Sequence, residues 1–163
     1  MRIYGLVQDS IVDGPGFRFV CFVQGCTHHC PGCHNPDSHA PDGGKEMSVE
    51  EVGAELSKNP LTDGLTLSGG EPFQQAEDCL SLARLAHSRG LNVWSYTGYT
   101  YEFLRSQGTP AQQALLDEID VLVDGPFLLE RRTLSLPWRG SDNQRVIDLR
   151  ATRAAGEVVL RPD

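Results

Sequence analysis

The chain has 163 residues and a formal net charge of −8, with 39% hydrophobic and 22% charged residues. This length and composition suit one compact domain spanning 1–163, and the acidic balance leaves no electrostatic footprint for nucleic acid. No apolar run approaches the roughly 20 residues of a membrane span, and residues 1–5 lack a basic-then-apolar secretory start, so no membrane segment or signal peptide is expected and the expected compartment is the cytosol.

Residues 17–23 are apolar and β-rich and read as the first strand. Residues 24–46, rich in Gly, Pro, Cys and His, form a long loop, and loops of that length in compact domains usually serve function. Ser48-Val49-Glu50-Glu51 has capping-box spacing, with Val52 and Leu56 continuing a helical face. Residues 65–67 form a short strand ending in Ser68-Gly69-Gly70. A helix follows over 74–88, with Leu80, Ala83, Leu85 and Ala86 toward the core and Gly90 as its stop. Residues 91–96 form a strand and 100–107 a short helix. Thr109 caps another helix with Pro110 at its first position. Residues 120–123 form a strand leading into Asp124-Gly125-Pro126, and 145–149 and 157–160 read as further strands. Strands alternating with helices predict an α/β fold with a mostly parallel sheet. A closed eight-fold barrel takes about 250 residues, so a partial, open barrel is expected. The chemistry of such sheets sits at the carboxyl ends of strands. The cysteine loop, Ser68-Gly69-Gly70-Glu71, Tyr96-Thr97-Gly98-Tyr99 and Asp124-Gly125-Pro126 should therefore share one rim.

Three of the five cysteines crowd into Cys26-Thr27-His28-His29-Cys30-Pro31-Gly32-Cys33, the spacing C-x3-C-x2-C. In a cytosolic chain such crowding points to metal or redox chemistry rather than disulfides. Three thiolates on an iron–sulfur cubane leave one iron without a protein ligand, an open position of the kind catalytic metals keep. Gly25, Pro31 and Gly32 suit a loop wrapping closely round a cluster. The alternative is a zinc knot of Cys26, Cys30, Cys33 and one of His28, His29 or His34, although a second paired-cysteine half-site is missing. Cys21, within a strand, and Cys79, within a helix, read as core residues. Charge is uneven. Residues 1–129 hold 7 basic and 17 acidic groups, and residues 130–163 hold 7 and 5. Arg131, Arg132, Arg139, Arg145, Arg150 and Arg153 in the tail either face an acidic partner or anionic cofactor group or are scattered solvated charges.

The cysteine spacing, followed some 40 residues later by Gly69-Gly70-Glu71, resembles the radical S-adenosylmethionine (SAM) superfamily. The resemblance implies a [4Fe–4S] cluster on Cys26, Cys30 and Cys33 whose unique iron binds the amino and carboxylate groups of SAM. Reduction then cleaves SAM to methionine and a 5′-deoxyadenosyl radical, with no catalytic side chain needed beyond the two cofactors. It implies that the Gly-Gly-Glu motif contacts the amino group of SAM. The candidate cofactor-binding residues are Gly32, His34, Ser68, Gly69, Gly70, Glu71, Tyr96, Thr97 and Asp124. For the turns after 96 and 124, plain strand-end turns are an equal reading.

Upstream, Asp13-Gly14-Pro15-Gly16-Phe17-Arg18, then Phe22 and Gly25-Cys26, is similar to the lead-in of glycyl-radical-enzyme activases. Cys30-Pro31-Gly32-Cys33-His34-Asn35, Val123-Asp124-Gly125-Pro126-Phe127 and residues 139–148 are similar to the members of that family that act on anaerobic ribonucleotide reductase. The implied activity is hydrogen abstraction from a glycine of the large reductase subunit. With no second cysteine set for auxiliary clusters, the electron must come from an external low-potential donor such as flavodoxin. The Arg139–Arg145 segment is either substrate-facing or a structural cap on the open barrel. Competing functions are activation of a formate-lyase-type glycyl radical enzyme, small-molecule radical chemistry of the 7-carboxy-7-deazaguanine synthase type, and a zinc- or iron-binding interaction module.

Overall fold

The computed structural model describes residues 1–28, 30–33 and 35–162. Its centre is four parallel strands: β2 (Arg18–Val23), β4 (Gly64–Gly69), β5 (Asn92–Tyr96) and β6 (Val121–Asp124). Antiparallel strands extend both edges. On one side are β1 (Arg2–Ser10) and the two-residue β3 (Lys45–Glu46), and on the other β7 (Arg145–Asp148), giving the order β3-β1-β2-β4-β5-β6-β7. The sheet is open, with β3 and β7 as its two edges. The expected parallel sheet is thus its core, and the antiparallel edges are what the sequence reading did not contain.

Among the described residues there are five α-helices, four between strands and the last after β7: α1 (Val49–Leu56), α2 (Ala76–Ser88), α3 (Tyr101–Gln107), α4 (Pro110–Glu118) and α5 (Leu149–Ala155). Two begin as their local chemistry requires. The Ser48 hydroxyl accepts the Glu51 N–H at 3.1 Å while the Glu51 carboxylate accepts the Ser48 N–H at 3.0 Å, and Thr109 and Gln112 repeat the arrangement on α4. Each box satisfies backbone donors that a helix start otherwise leaves bare. Helix α2 starts two residues later than the expected 74, because Pro72–Gln75 forms a tight 3₁₀ turn first. It buries Cys79 and Leu82 along with Ala83 and Ala86, while Leu80 and Leu85 pack at the margin. Cys21 and Cys79 are fully buried core residues, and burial pushes the Cys21 thiol up to about 12. Residues 157–160 do not form a strand; one bridge, Ile147 to Leu160, ties them to β7.

Side chains alternate across a strand, and here the two faces differ in kind. Phe19, Cys21, Val23, Leu65, Leu67, Val93, Leu122 and Ile147 point into the main apolar core with α1, α2 and α4. Arg18, Thr66, Trp94, Val121, Val123 and Val146 occupy the alternate positions. Trp94 and the three valines make a second, smaller cluster with Tyr96 and Trp138. Arg18 is fully buried on this face. Its Nε donates to the Thr66 hydroxyl at 2.7 Å, its terminal nitrogens donate to the Pro15 and Leu65 carbonyls, and its guanidinium lies 5.6 Å from the Trp94 ring. Burial pulls its pKa down to about 10, so it remains charged at neutral pH. The segment 125–144 crosses this second face and returns. Asn143 Nδ2 donates to the Pro126 carbonyl at 2.9 Å and Gln144 Nε2 to the Gly125 carbonyl at 3.0 Å. Among the described residues no helix is long and apolar enough to cross a membrane.

Candidate functional site

The carboxyl ends of the parallel strands open into a cavity of about 630 Å³, within the range of small-molecule and cofactor sites. Its wall contains Cys26, Cys30 and Cys33 from the loop after β2, Ser68, Gly69 and Gly70 from the end of β4, Tyr96, Thr97 and Gly98 from β5, and Gly125 after β6. The four strand-end motifs therefore share one rim, as the α/β pattern predicts. The segment 125–144 supplies the opposite wall, including Phe127, Trp138 and Gln144.

Backbone hydrogen bonds lock the cysteine loop to the glycine turn. Gly70 N–H donates to the Val23 carbonyl at 3.0 Å and Glu71 N–H to the Gly25 carbonyl at 2.8 Å. A side chain on Gly70 would drive into the Gly25 and Val23 carbonyls, so only glycine permits this approach. From the other side, Gly25 N–H donates to Ser38 O at 2.6 Å and Cys26 N–H to His39 O at 3.1 Å. The long loop thus folds back on its own cysteines. All three cysteines are free thiols. Burial pushes the Cys26 thiol above its ordinary value; the His28 N–H partly offsets this, and the charges of Glu71, Cys30 and Cys33 add to it.

Three of the expected cofactor residues stand elsewhere. Glu71 is completely buried and absent from the wall. One carboxylate oxygen accepts from Gly98 N–H at 2.7 Å and lies 2.7 Å from His28 Nε2, the other accepts from Phe73 N–H at 3.0 Å, and the Thr97 hydroxyl bonds to both. A carboxylate cannot also reach into the cavity while its acceptor sites are filled from the interior. Asp124, also buried, accepts from Tyr101 N–H at 2.8 Å and holds Arg145 at 2.6 Å. Arg145 in turn bonds to Glu102, and the hydrogen bond to Asp124 leads the pair of acids that raises its pKa. Gly32 backs onto Leu129, whose side chain a Cβ there would meet at 2.8 Å. His34 lies outside the described residues, as does the alternative ligand His29.

The arginines of the tail divide among the cavity wall, ion pairs and a backbone hydrogen bond. Arg132 and Arg139 line the cavity. Arg131 pairs with Asp142, Arg145 with Asp124, Arg150 with Asp120, and Arg153 donates to the Ile119 carbonyl. The 139–145 segment is held by its own side chains and contributes to the wall. Gln144 Oε1 accepts from the Gly140 and Ser141 N–H groups, and Arg139, Gly140 and Gln144 line the cavity. Sequence reasoning missed His39 in the wall. A lone histidine in a polar loop carries no pattern that would have marked it.

Among the described residues no three His, Cys, Asp or Glu side chains converge tightly enough to hold a single metal ion. His28, a zinc ligand in the knot alternative, has its Nε2 against Glu71. A family of 4Fe–4S single cluster domains matches residues 12–147. The chain is 37% identical to the anaerobic ribonucleoside-triphosphate reductase-activating protein of Salmonella typhimurium over 92% of its own length and 100% of the relative's. The protein of that description from Escherichia coli strain K12 is 38% identical (86% and 94%), and that of Enterobacteria phage T4 is 37% identical (84% and 87%).

The chain belongs to the anaerobic ribonucleoside-triphosphate reductase-activating protein family.

This is a family of activating enzymes built on an iron–sulfur domain. The matched region, 12–147, contains the whole wall of the cavity and ends within β7. The cavity fits the family's cluster in its chemistry. It presents three free thiols beside a glycine turn held against the cysteine loop so closely that a Cβ on Gly70 would meet the Gly25 and Val23 carbonyls.

Proposed function

We propose that this chain, as one domain spanning 1–163 with a partial, open radical SAM-type barrel, generates the glycyl radical of an anaerobic ribonucleoside-triphosphate reductase. The observation that carries the reading is the convergence of Cys26, Cys30 and Cys33 with the glycine turn Ser68-Gly69-Gly70 on one cavity at the strand ends. Cys26, Cys30 and Cys33 would hold the cluster, leaving one iron open for SAM. Cluster and SAM together supply a one-electron cleavage whose product takes a hydrogen atom from a glycine of the partner.

The chain's own residues do the placing. The Gly70–Val23 and Glu71–Gly25 hydrogen bonds hold the glycine turn at a set height above the cysteines. Ser68, Gly69 and Gly70 offer the polar edge along which the amino-acid end of SAM would lie, and Tyr96 and Trp138 an aromatic wall. Burial raises the Tyr96 pKa, so its hydroxyl stays protonated and can donate. Arg132 and Arg139 stand at the same wall and favour an anionic group. The partner is the large reductase subunit, the electron comes from an external low-potential protein such as flavodoxin, and the chain works in the cytoplasm without binding nucleic acid or membrane.

The test is paramagnetic resonance of the anaerobically reconstituted, reduced protein mixed with SAM and the large reductase subunit. A stable glycyl doublet with matching deoxyadenosine is expected. Deoxyadenosine without the doublet would move the function to another partner or to small-molecule chemistry. Zinc in place of iron and no SAM cleavage would overturn the reading in favour of a binding module.

A further inference from the structure

His39 stands six residues beyond Cys33, and its backbone is fixed from two directions. Its N–H donates to the Pro36 carbonyl at 3.3 Å as the exit of the Pro36–Ser38 turn, and its carbonyl accepts the Cys26 N–H at 3.1 Å. The turn itself is braced by the Ser38 hydroxyl, which donates to the Asn35 carbonyl at 2.6 Å. From this anchored position the half-buried His39 ring reaches into the cavity wall and places Nε2 at 3.4 Å from Cys33 Sγ.

A thiolate that ligates iron has no proton and can only accept. The contact is then an N–H···S hydrogen bond with the proton on Nε2, which the neutral ring supplies in one of its two tautomers. We infer that His39 is a positioning residue for the cluster: it donates to the Cys33 sulfur and raises the cluster's reduction potential. The inference rests on the cluster reading above. A hydrogen bond to a ligand sulfur withdraws electron density and favours the more negative, reduced state over the oxidised one, and such bonds are among the levers that set cluster potentials. The consequence is functional, because an external donor must deliver one electron to this cluster, and His39 brings the cluster nearer to that donor's reach.

The test is a redox titration of the reconstituted protein followed by the paramagnetic signal of the reduced cluster, comparing wild type with His39→Phe and His39→Gln. Phe keeps a ring of similar size without a donor; Gln keeps a donor at similar reach. His39→Phe is expected to disfavour reduction about tenfold, which is about 59 mV for one electron, and His39→Gln to recover most of that shift. An unchanged potential in a fully loaded His39→Phe protein overturns the inference. So does equal displacement in Phe and Gln, which would mean that ring packing alone matters. If His39→Phe loads no cluster, His39→Leu takes its place. If neither loads, the ring holds the loop rather than tuning the cluster, and the inference fails. Failure of wild-type protein to load iron would instead remove the cluster reading itself.

Discussion

Replacing Glu71 separates a framework role from a ligand-contact role. The carboxylate is fully buried and serves four donors: the Gly98 and Phe73 N–H groups, the Thr97 hydroxyl and His28 Nε2. In Glu71→Ala the Thr97 hydroxyl can rotate to another acceptor and His28, 18% exposed in its side chain, can turn toward water. The two backbone N–H groups cannot move. Each left unsatisfied costs about 1–3 kcal/mol, so the two together cost about 2–6 kcal/mol, and loss of the charge-assisted bonds adds to this. Against a typical domain stability of about 5–15 kcal/mol, the metal-free protein should be close to unfolding. Glu71→Gln keeps the shape and one acceptor but sets an amide N–H against a donor, and about 1–3 kcal/mol is expected. The assay is urea unfolding of the metal-free, reduced protein, read as a fall in midpoint at unchanged slope. A loss below about 1 kcal/mol in Glu71→Ala, with SAM binding to the loaded protein abolished, would refute this account and return Glu71 to the cavity.

Two further outcomes are expected. Cys26→Ala, Cys30→Ala and Cys33→Ala should each abolish SAM cleavage with loss of the cluster's absorbance. Cys79→Ala should keep iron content and activity while losing about 1 kcal/mol of stability to a small core void; equal loss of iron in Cys79→Ala would break the ligand assignment. At the opposite end of the strands His87 bonds to Glu118 at 2.8 Å and to Asp120 at 2.9 Å. Partial burial alone would lower the His87 pKa, but the two carboxylates outweigh it and the net shift is upward. A raised folded pKa contributes stability that is complete below the unfolded value of 6.5 and is lost as pH rises through the folded one. Urea midpoints should therefore fall as pH rises above about 6.5, and His87→Gln should flatten that slope; parallel slopes in the two proteins would exclude His87 as the source.

What could be read from the sequence was local or topological. The capping boxes of Ser48 and Thr109 need only residues three apart, and the shared rim follows from any α/β sheet whose glycine turns sit after strands. Strand β1 escaped notice because residues 2–10 include Gly5, end in Gln8-Asp9-Ser10 and bulge twice against β2, so no clean alternation survives. Helix α5 is seven residues with two arginines and carries almost no apolar face; Asp148, accepting the Ala151 N–H at 3.0 Å, starts it. Residues 157–160 are β-prone in composition but find only the margin of β7. The fate of Glu71 was illegible for a different reason. Its partners His28, Thr97 and Gly98 lie 43, 26 and 27 residues away, and only the folded sheet brings them to one carboxylate. The same holds for Asp124, whose partner Arg145 is 21 residues on.

The stems of the 125–144 strap are stitched to each other, Gly125 to Gln144 and Pro126 to Asn143, before β6 and β7 pair. Its middle, with Leu134 at 94% exposure, makes no strand of the sheet. Such a self-closed excursion can lengthen, shorten or change sequence at little cost in closure entropy. One architecture can therefore be refitted to partners of different contour by editing some ten residues at its brim, while the strands beneath keep their register.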